Sequence, residues 1–275
     1  MHHFFLPLCI GLLLAQPLAQ ADEKKWLVDT NLVYQQGSAL SREYLATKAP
    51  DFSAKVVHQI QPWIVRIQVK HSFTKTGHST NHGTGTLLEG GKVITAKHVL
   101  TENVDDLSKI KIILTTIDGQ VLNASLIRKG ETDWAVLQVE STEATAPLLK
   151  SPIQLTTPIA GETAVFLGYP AQLGLNKQGK VTSFNPGDKA HNIPVSQLLP
   201  MPVVGSINDT ATVELTPLAG FPAVGGMSGG PIFNLEGEVI AVQKSIATTT
   251  SDKTGEVLDY TLKGEASDLL DLSAE

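Results

Sequence analysis

Cysteine is almost absent from this chain of 275 residues, since the only one is Cys9, inside an apolar run near the N-terminus. A protein with no further cysteine has no disulfide framework, and a chain of this length can bury enough apolar surface to fold without one. The N-terminal run, residues 4–14, is too short to span a bilayer and is followed by Ala19-Gln20-Ala21. An apolar run ending in small residues at this spacing predicts a signal peptide over residues 1–21, cleaved after Ala21.

A hydrophobic N-terminus that stays uncleaved is the alternative reading of the same segment. Cleavage would leave an exported chain without cysteine, which favours a bacterial source and a secreted or periplasmic location. Cys9 lies within the apolar run and not after it, so we expect no lipid anchor. No later apolar run is long enough for a transmembrane helix, so we expect the mature form to make no membrane contact.

Strongly basic stretches and metal-binding motifs are also missing. The formal net charge is −6 with no basic stretch, which argues against a nucleic-acid partner. The sequence contains neither a Cys/His cluster with zinc spacing nor a His-Glu-x-x-His motif, so we predict no metal and no cofactor.

Long helical patterns are scarce, whereas short β-rich runs bounded by turn residues recur along the chain. Such runs occupy residues 63–69, 85–88, 92–95, 110–114, 134–139, 163–167 and 238–242. Many short strands favour an antiparallel barrel or sandwich over a doubly wound parallel sheet. Three other segments are predicted to be a short helix or a flexible leader (22–55), long loops (171–210) and a short C-terminal helix (264–272).

The strongest local signal is the segment Gly225-Gly226-Met227-Ser228-Gly229-Gly230-Pro231. A serine hydroxyl is a poor nucleophile unless a base takes its proton, and glycines around it let the backbone bend and a substrate approach closely. A plain glycine turn between two strands is the alternative interpretation of this motif alone.

The order of residues along the chain separates the possible enzyme classes. An α/β-hydrolase places its histidine after the serine, but the last histidine here is His191, before Ser228. The order His, Asp, Ser remains, with His98 at the end of a predicted strand and Asp133 leading into another. A carboxylate there can hold the tautomer of the histidine. The remaining histidines after the signal peptide are predicted to lie at the surface, namely His58, His71, His78, His82 and His191.

Together these motifs resemble the chymotrypsin-type (trypsin-like) serine proteases, especially their bacterial HtrA-like members. Thr95-Ala-Lys-His98 is similar to the family's Thr-Ala-Ala-His, and Asp133-Trp-Ala-Val-Leu is similar to its Asp-hydrophobic-Ala-Leu-Leu. Gly226-Met-Ser228-Gly-Gly-Pro is similar to its Gly-x-Ser-Gly-Gly-Pro. The resemblance covers residues 56–272, within a protease domain assigned to 56–275, and we therefore expect no appended PDZ domain.

The resemblance implies an all-β fold of two antiparallel β-barrels with the active site between them and a short C-terminal helix. The first barrel would carry His98 and Asp133, and the second would carry Ser228. The oxyanion hole would be formed by the backbone N–H groups of Gly226 and Ser228. The strand after the serine would form one wall of the substrate-binding pocket with Lys244, Ser245 and Ile246.

The function implied is that of an exported serine endopeptidase that cleaves protein or peptide substrates through an acyl-enzyme on Ser228. The alternative is a catalytically inactive pseudoprotease that uses the same fold for binding. Met227 departs from the animal digestive members, which have an aspartate there that pairs with a newly formed N-terminus. A thioether has no charge to make that ion pair, so we expect packing and backbone bonds to set the oxyanion loop.

Overall fold

The fold is known from a computed structural model, which describes residues 59–74, 77–102, 106–143, 145–171, 174–175, 181–182, 201–210, 213–220, 225–250 and 257–266. The predicted signal peptide and the segment 22–55 lie outside these residues, as do His58 and His191. Within the described residues, no helix has both the length and the apolar character needed to cross a bilayer.

Six antiparallel strands close the first barrel in the order β1-β2-β3-β6-β5-β4. They are β1 (Ile64–Thr74), β2 (Gly77–Leu87), β3 (Lys92–Thr95), β4 (Lys111–Thr115), β5 (Val121–Lys129) and β6 (Ala135–Val139). Alternate side chains along a strand point to opposite faces, so Val65, Ile67 and Val69 of β1 lie together on one face and are fully buried. Apolar residues at this spacing therefore fill the barrel interior.

A second closed barrel has the order β10-β11-β14-β13-β12-β7. Its strands are β7 (Thr163–Gly168), β10 (Met201–Asp209), β11 (Val213–Gly220), β12 (Pro231–Phe233), β13 (Val239–Thr250) and β14 (Val257–Glu265). A separate hairpin pairs β8 (Gly174–Leu175) with β9 (Val181–Thr182). The described helices are short: α1 (Lys97–Thr101) and 3₁₀ turns at Gln61–Trp63, Glu89–Gly91, Leu107–Lys109 and Ala146–Lys150.

The two barrels share one buried apolar cluster. Phe233, Val239 and Val242 of the second barrel belong to the same cluster as the interior residues of the first. The connecting segment also bridges them: Ser151 Oγ donates to the carbonyl of Leu87 at 2.7 Å, and the N–H of Val239 donates to the carbonyl of Gln154 at 2.8 Å. The barrels are therefore packed against each other.

The all-β prediction of two antiparallel barrels is confirmed, and the predicted strand over residues 92–95 matches β3 in full. The prediction of long loops over 171–210 is wrong for 201–209, where β10 pairs with β7 and β11. The strand contains Pro202 and Gly205, residues that are unfavourable in strands, and it pairs with β7 from earlier in the chain and with the strand that follows it, β11. The predicted C-terminal helix is wrong at residues 264–265, which end β14, while residues 267–272 lie outside the described part of the chain.

Three histidines predicted at the surface, His71, His78 and His82, lie on strands of the first barrel, and the burial of two of them is described. His71 on β1 is buried, and His82 on β2 is half-buried. Burial lowers the pKa of His82 and the nearby Arg66 charge lowers it further, because both disfavour the imidazolium. The polar sequence of β2 looks like a loop, but its pairing with β1 over ten registered residue pairs makes it a strand.

Candidate active site

His98 is placed at the rim of the first barrel by the transition from β3 to α1. Ala96, between the two elements, is extended, and the helix begins at the next residue. Val99 and Leu100 are buried and anchor the helix, which leaves His98 partly open, with 34% of its side chain exposed. A short amphipathic turn thus presents the imidazole while its neighbours hold the backbone.

Asp133 lies next to His98, in the turn that leads into β6. Its Oδ2 is 2.7 Å from Nδ1 of His98, and its Oδ1 accepts a hydrogen bond from the backbone N–H of His98 at 2.9 Å. The backbone N–H of Lys97 donates to the carbonyl of Asp133 at 3.3 Å. Both oxygens of the carboxylate are therefore engaged by one residue, which fixes the orientation of the ring.

The charge state of this pair follows from the contacts. Burial raises the pKa of Asp133, but the hydrogen bonds from the ring and backbone of His98 and the nearby positive charges outweigh it and lower the pKa overall. An ionised carboxylate only accepts hydrogen bonds, so Nδ1 of His98 carries the proton. Nε2 of a neutral ring is then free to accept a proton, as a general base requires.

Ser228 reaches the first barrel through backbone contacts. The N–H of Thr84 donates to its carbonyl at 2.8 Å, and the N–H of Gly229 donates to the carbonyl of Gln243 at 2.8 Å. Gly229 has a φ of 86°, and a Cβ there would clash with Thr95 Oγ1 and the Thr84 carbonyl. The turn that carries the serine (residues 225–230, the serine turn) therefore packs against the end of β3, three residues before His98.

The structure brings His98 and Asp133 into direct contact, whereas it brings Ser228 only to the same rim. Among the described residues, the side-chain hydrogen bond of His98 goes to Asp133 and none reaches Ser228 Oγ. Hydrogen bonds between a nucleophile and its base are often long before substrate binds.

The predicted oxyanion donors, Gly226 and Ser228, are oriented by the carbonyls of the residues that precede them. In a trans peptide the C=O and the N–H point in opposite directions. The carbonyl of Gly225 accepts from the N–H of Ala171 at 2.8 Å, so the N–H of Gly226 points away from Ala171. The carbonyl of Met227 accepts from the N–H of Gly230 at 3.0 Å, which directs the N–H of Ser228 away from Gly230. Neither of these two N–H groups has a partner within the described residues.

The predicted pocket wall, Lys244 to Ile246, lies on β13. The residue before it, Gln243, contacts the serine turn, since its N–H donates to the carbonyl of Gly230 at 2.9 Å. The ammonium of Lys244 lies 3.3 Å from Oε2 of Glu265, a carboxylate that is only 7% exposed. Ser245 is exposed and Ile246 is partly buried. Residues 221–224, which precede the serine motif, lie outside the described residues.

Sequence reasoning missed two residues that contact the site. Lys97 Nζ donates to the carbonyls of Gly130 at 3.0 Å and Glu131 at 2.9 Å, and so ties the turn before Asp133 to α1. The hydroxyl of Thr84 donates to the carbonyl of Gly226 at 3.1 Å. The only signal for Lys97 was that it replaces an alanine of the family motif, and Thr84 had none beyond its place between two glycines.

A comparison with known families agrees with this geometry. The profile of the Trypsin-like peptidase domain matches residues 83–242, which is more than half of the chain. The match begins in β2 of the first barrel and ends in β13 of the second, so it spans His98, Asp133 and Ser228. With two closed antiparallel barrels and this match, the chain belongs to the trypsin-like peptidase domain family.

Proposed function

We propose that this peptidase is a serine endopeptidase in which Ser228 is the nucleophile, His98 the general base and Asp133 the residue that orients the base. Membership in the family supports a peptidase that acts on proteins or peptides. The observation that carries the finer proposal is the 2.7 Å contact between Nδ1 of His98 and Oδ2 of Asp133, at the rim where Ser228 is held.

In the proposed reaction, Ser228 Oγ attacks the carbonyl carbon of the scissile peptide bond while its proton moves to Nε2 of His98. The negative charge that develops on the carbonyl oxygen is stabilised by the N–H groups of Gly226 and Ser228. The tetrahedral intermediate collapses, the C–N bond breaks, and His98 gives its proton to the leaving amine. A water molecule then attacks the acyl-enzyme in the same way, which releases the acid and restores Ser228.

Two further parts of the proposal rest on the sequence. We infer export through the signal peptide over residues 1–21, with the mature protein beginning at Asp22 in the periplasm or outside the cell. The alternative to catalysis is a pseudoprotease that binds peptides without cleaving them.

The test is to purify the protein from Asp22 onward and to measure cleavage of a peptide library and of casein. Ser228→Ala and His98→Ala should each lower kcat by about 10⁴-fold or more, leaving only what binding and the oxyanion donors supply. An active-site fluorophosphonate should label the wild type and not Ser228→Ala. A Ser228→Ala preparation free of other proteases that kept near-normal activity would overturn the proposed mechanism. A wild type that was neither labelled nor active would favour the binding protein.

A further inference from the structure

Thr84 of the first barrel contacts the serine turn of the second barrel through both its backbone and its side chain. Its N–H donates to the carbonyl of Ser228 at 2.8 Å, and its hydroxyl donates to the carbonyl of Gly226 at 3.1 Å. The same hydroxyl accepts a hydrogen bond from the N–H of Tyr169 at 2.8 Å. Thr84 is 0% exposed, so water does not compete for these bonds.

The direction of the hydroxyl is settled by its two partners. A backbone N–H can only donate and a carbonyl can only accept, so Oγ1 must accept from Tyr169 and place its single proton on Gly226. Tyr169 and Ala171 flank Pro170 after β7, and Ala171 holds the carbonyl of Gly225. The carbonyls of two successive residues, Gly225 and Gly226, are therefore held from one side by β2 and the segment that follows β7.

We infer that Thr84 is a positioning residue for catalysis, whose hydroxyl keeps the peptide groups around Gly226 in the orientation that presents the oxyanion donors. This inference rests on the proposed function of the Ser228 site. Gly226 has a φ of 89°, a region open to glycine, and glycine has few steric barriers to rotation of its flanking peptides. The Gly226–Met227 peptide, whose carbonyl Thr84 holds, joins the two peptides that carry the donor N–H groups of Gly226 and Ser228, so its rotation would displace these two groups relative to each other.

The side chain of Met227, next to Gly226, cannot hold these peptide groups in place. Met227 is fully buried against Gly168, and its thioether carries no charge that could fix the loop through an ion pair. Neutral hydrogen bonds from Thr84 and Ala171 are what the structure provides instead. Because β2 also pairs with β3, which leads to His98, Thr84 couples the oxyanion loop to the barrel that carries the base.

The chain offers a matched control for the hydroxyl of Thr84. Thr86 lies two residues further along β2 and therefore on the same face of the strand, and it is also 0% exposed. Its Oγ1 is buried without a hydrogen-bond partner among the described residues. Valine has the shape of threonine without the hydroxyl, so Thr84→Val and Thr86→Val make the same chemical change at neighbouring buried positions.

The experiment measures kcat and KM per titrated active site for Thr84→Val, Thr84→Ser and Thr86→Val. We expect Thr84→Val to lower kcat by about 10- to 100-fold with KM within about twofold, because a misdirected donor weakens transition-state binding and not ground-state binding. Thr84→Ser, which keeps the hydroxyl, should restore most of kcat, and Thr86→Val should match the wild type. The affinity for a peptide aldehyde, which forms an oxyanion on Ser228, should fall in Thr84→Val by a similar factor.

The inference is overturned if Thr84→Val and Thr86→Val have kcat values within twofold of each other. Should Thr84→Val fail to fold, Thr84→Ala and Thr84→Ser replace it, since both remove the methyl group and only one keeps the hydroxyl. Equal kcat in those two variants would also overturn the inference. Ser228→Ala separates the two proposals. If Ser228→Ala is inactive and Thr84→Val is fully active, only the role of Thr84 is rejected. If Ser228→Ala is active, the proposed function is rejected as well.

Discussion

At the scale of single residues, the His98–Asp133 pair depends on where charge and hydrogen bonds are placed. Burial alone would raise the pKa of Asp133, but the two hydrogen bonds from His98 lower it. A carboxyl with a lowered pKa in the folded protein stabilises the fold above its unfolded value, about 3.9, and that contribution disappears as pH falls through the folded value. The same hydrogen bonds that orient His98 therefore stabilise the folded protein at neutral pH, and this stabilisation is lost in acid.

We accordingly expect Asp133→Asn to be less stable than the wild type at pH 7, with a difference that shrinks as pH falls below about 4. Urea unfolding at pH 7, 5 and 3 measures this difference. Asp106→Asn is the control, because the pKa of the partly exposed Asp106 is also lowered, to about 2, mainly by its hydrogen bond with Lys109, while its contacts among the described residues involve Ser108 and Lys109 and not His98. In a peptidase assay, Asp106→Asn should have the same kcat as the wild type. A stability difference for Asp133→Asn that is equal at pH 7 and pH 3 would contradict the assignment.

Lys97 contributes to the same pair through the turn before Asp133. Its ammonium joins two carbonyls of that turn, and its backbone N–H joins the carbonyl of Asp133. We expect Lys97→Met to lower kcat about tenfold through a less well positioned carboxylate, and Lys97→Arg to restore part of the loss because it keeps the charge and donors. Lys109→Met removes an exposed ion pair that contributes little and should leave kcat unaltered. Equal activity of Lys97→Met and Lys109→Met would exclude this role.

At the scale of elements, the serine turn exists because glycine occupies the positions where β2 and β3 approach it. Gly229 has a positive φ, and a Cβ there would clash with Thr95 Oγ1 and the carbonyl of Thr84. Gly225 differs, since a Cβ at that position meets nothing within 4 Å. The motif therefore contains three glycines required by close approach, Gly226, Gly229 and Gly230, and one, Gly225, that is not.

We expect Gly229→Ala to destabilise the protein by more than about 2 kcal/mol, because backbone strain and displacement of β2 add, and to lower kcat/KM at least 100-fold. Gly225→Ala should change stability by less than about 0.5 kcal/mol. Thermal unfolding and peptidase assays on both variants measure these effects. Similar effects of the two substitutions would contradict the claim that β2 approaches the serine turn closely at Gly229.

At the scale of the whole molecule, the two barrels share one buried apolar cluster, so we expect them to unfold as one unit. Phe233 of the second barrel is 0% exposed and belongs to the cluster that fills the first. Trp63 and Trp134 lie in or beside the first barrel and Trp26 lies outside the described residues, so the fluorescence of a Trp26→Phe protein reports the first barrel, whereas circular dichroism reports strands of both. Two probes of different regions can therefore show whether the barrels unfold together.

We expect tryptophan fluorescence and circular dichroism to give coincident unfolding curves in urea, as for a two-state transition. Phe233→Ala should cost about 3–5 kcal/mol and shift both curves equally, because a large cavity opens in the shared core. Ile127→Ala is the control, since Ile127 is 52% exposed and its loss should cost less than about 0.5 kcal/mol. Curves that separate, with the fluorescence transition unchanged in Phe233→Ala, would show that the barrels unfold independently.

Local sequence patterns determined the fold class and the three candidate site residues of this protein. Runs of β-branched and apolar residues such as residues 92–95 fold as strands because alternation and burial act over neighbouring residues. The order of His98, Asp133 and Ser228 excluded other hydrolase classes without any coordinates. Both features, the pattern of neighbouring residues and the order of residues along the chain, can be obtained directly from the sequence.

Tertiary structure alone decided which strands complete the barrels and which residues hold the site. β10 contains a proline and a glycine, and one of its two partner strands, β7, comes from a remote part of the chain. Thr84 lies 142 positions from Gly226, and Lys97 lies 33 positions from Gly130, so no local sequence pattern predicts either contact. Hydrogen bonds between distant segments depend on the closure of both barrels, and their partners are therefore set by topology and not by neighbouring residues.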